Sequence, residues 1–259
     1  MPSALEKNAG TKVPEVTLIF WMIKVAATTL GETGGDTVSM TLGWGYLFGT
    51  ALFLSLLVVL VVWQTAAKKF HPFLYWATIV ASTTAGTTLA DFFDRSLGIG
   101  YTGGASSLFV LLLATLGLWY AALGSISVQT VVSPKVEVFY WATITISQTL
   151  GTALGDWTAD NAMLGYAGGS LVFIGALAVV AALYYGTDVS RVFLFWAAFI
   201  LTCPLGATVG DLLDKPLNDG GLAFSRPVAS AIIAVFIVGC ILLLPQRAGR
   251  HPGSAAEIP

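Results

Sequence analysis

The chain has 259 residues, of which 56% are hydrophobic and 10% charged, with a formal net charge of −2. Soluble domains carry about 25% charged residues, so a globule of this composition could not cover its surface with charge, and cytosolic enzymes and disordered regulators are excluded. A nucleic-acid binder is excluded too, because it would need a basic stripe; a mean hydropathy of +0.82 points instead to an integral membrane protein.

The first fifteen residues are polar and contain Lys7, Lys12 and Pro14. An apolar run then starts near Val16. It holds Lys24, Glu32 and Asp36 and lacks a small-residue cleavage site, so it reads as a retained first span rather than a signal peptide. Apolar stretches follow in pairs. One set covers roughly 16–36, 73–92, 136–157 and 192–212; the other covers 45–66, 101–123, 165–186 and 222–244. About 20 residues at 1.5 Å each cross a hydrocarbon core of roughly 30 Å. The expected fold is therefore all-α and polytopic, with eight transmembrane helices. Segment 124–134 (GSISVQTVVSP) reads as a linker between a first membrane half, 16–123, and a second, 135–245. Residues 1–15 and 246–259 are polar terminal segments. Cys203 and Cys240 lie in apolar runs and make no disulfide framework. His71 and His251 lie in polar connections.

The chain repeats itself four times. Trp21, Trp76, Trp141 and Trp196 each follow an aromatic residue: Phe20, Tyr75, Tyr140 and Phe195. Ten residues after each Trp stands Gly31, Gly86, Gly151 or Gly206. Fifteen after each stands Asp36, Asp91, Asp156 or Asp211, and twenty-four after each Gly45, Gly100, Gly165 or Gly220. Three of the four continue with Tyr46, Tyr101 and Tyr166. The Trp intervals are 55, 65 and 55 residues, so first to third and second to fourth are both 120. A unit duplicated twice explains this, with the two halves related by a pseudo-twofold axis along the membrane normal. Two spans return the chain to its starting side, so the four units are parallel repeats rather than inverted ones.

Lys7, Lys12, Lys68, Lys69, Lys135, Arg191, Arg247 and Arg250 fall on the N-terminal side, against Arg95, Lys215 and Arg226 on the other. The excess of basic residues places both termini in the cytoplasm. The repeated Trp residues are then expected in an aromatic belt at the inner interface, and the repeated Asp residues toward the outer ends of the odd helices.

These FW and YW pairs, with their Gly and Asp positions, resemble a bacterial multi-pass membrane family with a fourfold two-span repeat, the domain of unknown function 347 repeat family. The resemblance covers about residues 15 to 245. It implies the architecture and a bacterial inner-membrane location. Its association with metal-ion efflux is loose, and the functional expectation rests on the residues.

The segments before each Asp read TTLGETGGD (28–36), TTAGTTLAD (83–91), QTLGTALGD (148–156) and CPLGATVGD (203–211). Steps of three and four residues place their polar positions on one helix face. That face shows Thr29, Glu32, Thr33 and Asp36; then Thr84, Thr87, Thr88 and Asp91; then Thr149, Thr152 and Asp156; then Thr208 and Asp211. Hydroxyls and carboxylates suit hard cations such as Mn²⁺, Mg²⁺, Ca²⁺ or Al³⁺. No His or Cys cluster offers a soft-metal site. The candidate metal ligands are Glu32, Asp36, Asp91, Asp156 and Asp211, with Thr29, Thr84 and Thr149 contributing hydroxyls. Lys24 is a candidate charge-compensating residue that mimics the cation when the site is empty.

Blander readings stand beside these. Each Asp lies about 27–30 Å along its span by helical rise, near the far side, and so would be solvated there. Lys24 would snorkel to the inner interface. Asp94–Arg95 and Asp214–Lys215 would be ordinary loop charge pairs, and Asp160 a solvated loop acid. Pro204 would bend the seventh helix, and GETGG at 31–35 would unwind the first, either at a binding site or as packing kinks.

The expected function is a transporter of a hard metal cation, exporting it in exchange for protons, with cation and protons as substrates and the bilayer as surroundings. No resident cofactor is expected. An enzyme is not expected, because no His-containing acid–base constellation occurs. The rivals are a passive cation channel, an organic-cation or small-molecule exporter, and a structural protein that tolerates loss of the acids.

Overall fold

A computed structural model describes residues 11–131 and 133–249. Lys7, Arg250 and His251 lie outside the described residues, as does most of each polar terminal segment. Among the described residues eight long helices make the fold: α1 (Leu18–Asp36), α2 (Tyr46–Ala66), α3 (Pro72–Asp91), α4 (Tyr101–Leu123), α5 (Pro134–Asp156), α6 (Gly165–Gly186), α7 (Arg191–Asp214) and α8 (Arg226–Leu243). Their starts follow local chemistry. Thr17 caps α1 and Ser190 caps α7 by accepting a backbone N–H from Phe20 and Phe193. Pro72 and Pro134 open α3 and α5, where a missing N–H costs nothing. Five helices, α2, α4, α6, α7 and α8, are long and apolar enough to cross a membrane. The outer helices expose apolar rows such as Val58 and Val62, Val110 and Leu118, or Ile232 and Val235. Water does not tolerate such surface over whole helices; lipid does.

The odd helices form an inner ring. α1 packs on α3, α3 on α5, α5 on α7, and α7 back on α1. Each even helix lies outside, docked on the inner helix of the next repeat: α2 on α3, α4 on α5, α6 on α7 and α8 on α1. The ring has pseudo-fourfold order, finer than the two halves that the 120-residue spacing implied.

The repeated residues explain the closure. A Cβ on Gly31, Gly151 or Gly206 would collide with Thr83, Cys203 or Thr28 of the next repeat in the ring, and one on Gly86 would lie 2.9 Å from the backbone nitrogen of Thr149. Four residues further out the pattern recurs: a Cβ on Gly35 would lie 3.1 Å from Thr87, one on Gly155 3.1 Å from Ala207, and one on Gly210 2.7 Å from Glu32. Small residues let the inner helices approach closely where lipid offers no hydrophobic drive.

The aromatic pairs close the ring as well. Phe20 meets Trp76 at 5.5 Å, Tyr75 meets Trp141 at 5.7 Å, Tyr140 meets Trp196 at 6.4 Å, and Phe195 meets Trp21 at 5.8 Å. The Tyr75 and Tyr140 hydroxyls share a 2.6 Å hydrogen bond. This collar corrects the expected belt. Trp76, Trp141 and Trp196 are buried in the bundle rather than turned to an interface, and Trp21 is half-buried. The Trp76 and Trp196 indoles donate to Gln246 after α8 and to the Ile126 carbonyl between α4 and α5, so segments outside the helices satisfy their N–H groups.

Two further expectations change. GETGG is helical, and Gly31 and Gly35 in it serve close packing rather than unwinding. The eighth helix starts at Arg226 rather than near 222, and Gly220 sits in a turn at φ +83° well before it. Gly45 and Gly100, by contrast, directly precede their helices at φ +78° and +75°.

Gly151→Val should force α5 from α7 and cost about 1–3 kcal/mol or more. Each kcal/mol lowers the melting temperature by about 2–4 °C in a protein of this size. Gly175→Val, on an outer helix with open space, should leave melting in detergent unchanged.

Candidate functional site

Residues of one repeat position share one level of the ring. Moving outward from the collar, the levels are Lys24, Ile79, Ile144 and Phe199; then Thr28, Thr83, Gln148 and Cys203; then Glu32, Thr87, Thr152 and Ala207; then Asp36, Asp91, Asp156 and Asp211. All sixteen are buried. The four Asp residues are 0%, 2%, 3% and 2% exposed, so they are not solvated at a helix end. They lie inside because the chain continues past them. In the first three repeats a π-helical turn follows at once: Thr37–Thr41, Phe92–Ser96 and Trp157–Asn161. In the fourth, α7 runs on to Asp214.

Two bases bind the acid ring together. Arg95 Nε lies 2.8 Å from Asp91 Oδ1, and its Nη2 lies 3.5 Å from Asp156 Oδ2. Lys215 Nζ lies 2.7 Å from Asp36 Oδ2 and 2.8 Å from Asp211 Oδ1. Both pairings correct the reading of loop charge pairs. Asp214 turns instead to Arg226, at 3.3 Å, and Asp94 is buried. Arg226 also approaches Asp36 Oδ2 to 3.7 Å. It opens α8 where Tyr46 and Tyr101 open α2 and α4. The signal for the two bases was in the sequence: each stands nineteen residues after its Trp, and they are 120 apart.

Glu32 occupies the level beneath. Its Oε2 accepts from Thr87 at 3.0 Å and from Thr152 at 3.1 Å, and these two hydroxyls lie 3.1 Å apart. Thr29, Thr84 and Thr149 are buried but donate back to their own helices, to the carbonyls of Val25, Val80 and Thr145. The hydroxyls that reach the carboxylate are thus one turn further out than the chosen ones.

Five candidate carboxylates divide into two groups. Glu32, Asp36 and Asp211 each offer an oxygen within 4.8 Å of the other two. Asp36 Oδ1 is buried without a hydrogen-bond partner among the described residues. Asp91 and Asp156 are held by Arg95. With both bases in place the Asp ring keeps two formal negative charges, and an ionised Glu32 adds a third. Buried like charges of this kind call for cations or protons.

Lys24 is fully buried and does not snorkel. Its ammonium lies 3.3 Å from Gln148 Oε1, 3.6 Å from Cys203 Sγ and 4.3 Å from the centre of the Phe199 ring. Among the described residues no carboxylate forms an ion pair with it. It stands two levels inward of Glu32, between the acid cluster and the collar.

The family described as "Repeat of Unknown Function (DUF347)" matches this chain four times, at residues 19–70, 74–124, 139–190 and 194–246. The chain belongs to this family. Each match holds most of one inner helix and all of the outer helix after it, so the repeat of this family is the unit that docks on its successor around the ring. No curated protein and no solved structure shows significant similarity to the chain.

Arg95→Met should leave Asp91 and Asp156 buried without their counter-ion. Because Arg95 is a third exposed, a loss of about 1–3 kcal/mol is expected rather than the larger cost of breaking a fully buried pair. Adding Asp156→Asn should recover part of the lost melting temperature. Equal melting of the single and double variants would contradict the pairing.

Proposed function

We propose that the protein is a membrane transporter of a hard metal cation, exporting it in exchange for protons. The observation that carries this reading is the meeting of Glu32, Asp36 and Asp211, three buried carboxylates from two repeats within 4.8 Å. Every donor there is oxygen, which favours Mn²⁺, Mg²⁺, Ca²⁺ or Al³⁺ over Cu⁺ or Zn²⁺. Carboxylates bind such an ion when ionised and release it when protonated, so proton and metal compete for the same oxygens. Asp91 and Asp156 complete the negative field, and the hydroxyls of Thr87 and Thr152 hold Glu32. Thr29, Thr84 and Thr149 line the same inner helices one turn inward. Lys24 supplies positive charge inward of the site.

In this reading all eight helices span the membrane. α1, α3 and α5 do so despite their polar faces because those faces point into the ring. Lys12, Lys68, Lys69, Lys135, Arg191 and Arg247 gather at the collar end. At the opposite end Arg95, Lys215 and Arg226 are all engaged by acids. That asymmetry supports an inner-membrane protein with both termini in the cytoplasm.

A second reading, export of a small organic cation, is favoured by one feature: the acid ring already holds an ammonium and a guanidinium, those of Lys215 and Arg95.

Proteoliposomes tested with Mn²⁺, Mg²⁺, Ca²⁺, Zn²⁺, Al³⁺, methylammonium and guanidinium, with and without a pH gradient, separate these readings. Flux of one hard cation that follows the gradient and falls at least tenfold in Glu32→Gln/Asp36→Asn is expected. Metal flux without pH dependence would mean a channel. Flux of the organic ions alone would replace the metal reading, and unchanged flux in the variant would remove the carboxylates from transport.

A further inference from the structure

The two bases of the acid ring are related by the same 120-residue spacing, yet they are built differently. Arg95 lies within the π-helical turn that continues α3, and its guanidinium reaches an acid on its own helix and one on the next. Lys215 stands where helix ends. Its backbone is extended, at φ −69° and ψ 153°. The fourth repeat has no π-helical turn after its Asp. It forms segment 215–225, with a 3₁₀ turn at Leu217–Asp219, which closes on itself through Ala223 N to Lys215 O at 2.9 Å and folds back on α7 through Leu222 N to Leu212 O at 2.7 Å and Phe224 N to Leu213 O at 2.8 Å. Ala223 in this segment is left-handed, at φ +54°, which a residue with a Cβ adopts only under constraint. Arg95 is therefore fixed by helix, and Lys215 hangs on a constrained loop.

Their surroundings differ as well. Arg95 closes a site of two acids. Lys215 contacts two members of a site of three, because Glu32 adds a carboxylate that Thr152 replaces in the opposite repeat. Asp36 still holds one buried oxygen that no donor reaches. A cation bound among Glu32, Asp36 and Asp211 would sit beside the Lys215 ammonium, in a buried place where like charges repel strongly. Its bonds of about 2.0–2.6 Å to carboxylate oxygens would crowd the position that the ammonium holds.

We propose that Lys215 is a tethered counter-cation that the cargo displaces. It neutralises Asp36 and Asp211 while the site holds no ion. It swings out with segment 215–225 when a divalent ion binds, and returns when the ion leaves. Arg95 stays in place as a structural clamp, so the ring has one exchangeable site and one fixed site. This inference rests on the transport site proposed above and deepens it, since it makes Lys215 set both the affinity of that site and the release of its ion.

Mn²⁺ binding to purified protein in detergent, followed by electron paramagnetic resonance of free Mn²⁺, tests it. Lys215→Gln should bind Mn²⁺ at least tenfold more tightly than wild type, and Glu32→Gln should bind at least tenfold more weakly. A second measurement uses the wild type alone. Trace acetylation read by mass spectrometry should show Lys215 reacting at least fivefold faster in saturating Mn²⁺. Lys12, paired with Glu137 at the opposite end, should react at an unchanged rate. Wild-type affinity in a folded Lys215→Gln, with Glu32→Gln still impaired, would overturn the displacement and leave the transport site standing. If Lys215→Gln does not fold, acetylation of Lys215 that ignores Mn²⁺ overturns it equally. Mn²⁺ binding by neither wild type nor Lys215→Gln would overturn the metal site itself and this inference with it.

Discussion

Four carboxylates are buried at one level of a helical ring, and the rest of the structure answers that constraint. Ionised acids in a weakly polar interior are tolerated only beside positive charge or protons. Arg95 and Lys215 supply the charge, each joining acids of adjacent repeats, so the pairs that neutralise the ring also tie its four helices together. The glycines one residue before Asp36, Asp156 and Asp211 remove the side chains that would hold those helices apart. The π-helical turns beyond the first three acids carry the chain on past them. At the other end the aromatic collar seals the ring.

Much of the scaffold was legible because duplication wrote it four times. The offsets of Trp, Gly and Asp gave the unit, the count of long helices and the polar face of each inner helix. The residues met across the ring were not legible in the same way. Periodicity tells which face a residue occupies, but not which helix that face meets. The collar illustrates this: a Trp near a span end suits an interfacial belt, and only the docking of each inner helix on the next repeat turns it inward. Arg95 and Lys215 were misread for a related reason. An acid and a base adjacent in sequence suggest a local pair, yet on a helix adjacent residues point apart, and positions four apart share a face. Asp91 is the helical neighbour of Arg95, and Asp94 is not.

The buried charges outside the repeated pattern sit where repeats depart from each other. Symmetric positions build collar, glycine contacts and acid ring. Glu32 stands where the other repeats have Thr87, Thr152 and Ala207, and Lys24 where they have Ile79, Ile144 and Phe199. Both odd residues belong to the first repeat, and Lys215 reaches across to Asp36 of that same repeat from the last. The residues that depart from the repeat therefore gather at the seam where the ring closes, between α7 and α1. The opposite side, between α3 and α5, keeps the plainer arrangement of two acids and one arginine.

The axis inward of Glu32 also decides what transport through this ring would require. Thr28, Thr83, Gln148 and Cys203 form the next level, then Lys24 with Phe199, Ile79 and Ile144, then the collar. A cation leaving Glu32 in that direction meets a buried ammonium and a closed aromatic layer. Toward the outer end it meets Lys215, buried where α7 ends, and Arg226. The described arrangement is thus closed inward by charge and by packing, and outward by the two bases Lys215 and Arg226. Opening the inner end would mean separating Tyr75 from Tyr140, whose hydroxyls bond at 2.6 Å, and moving Lys24 from Gln148. Each of those contacts joins different repeats, so an inner opening must shift whole inner helices against one another.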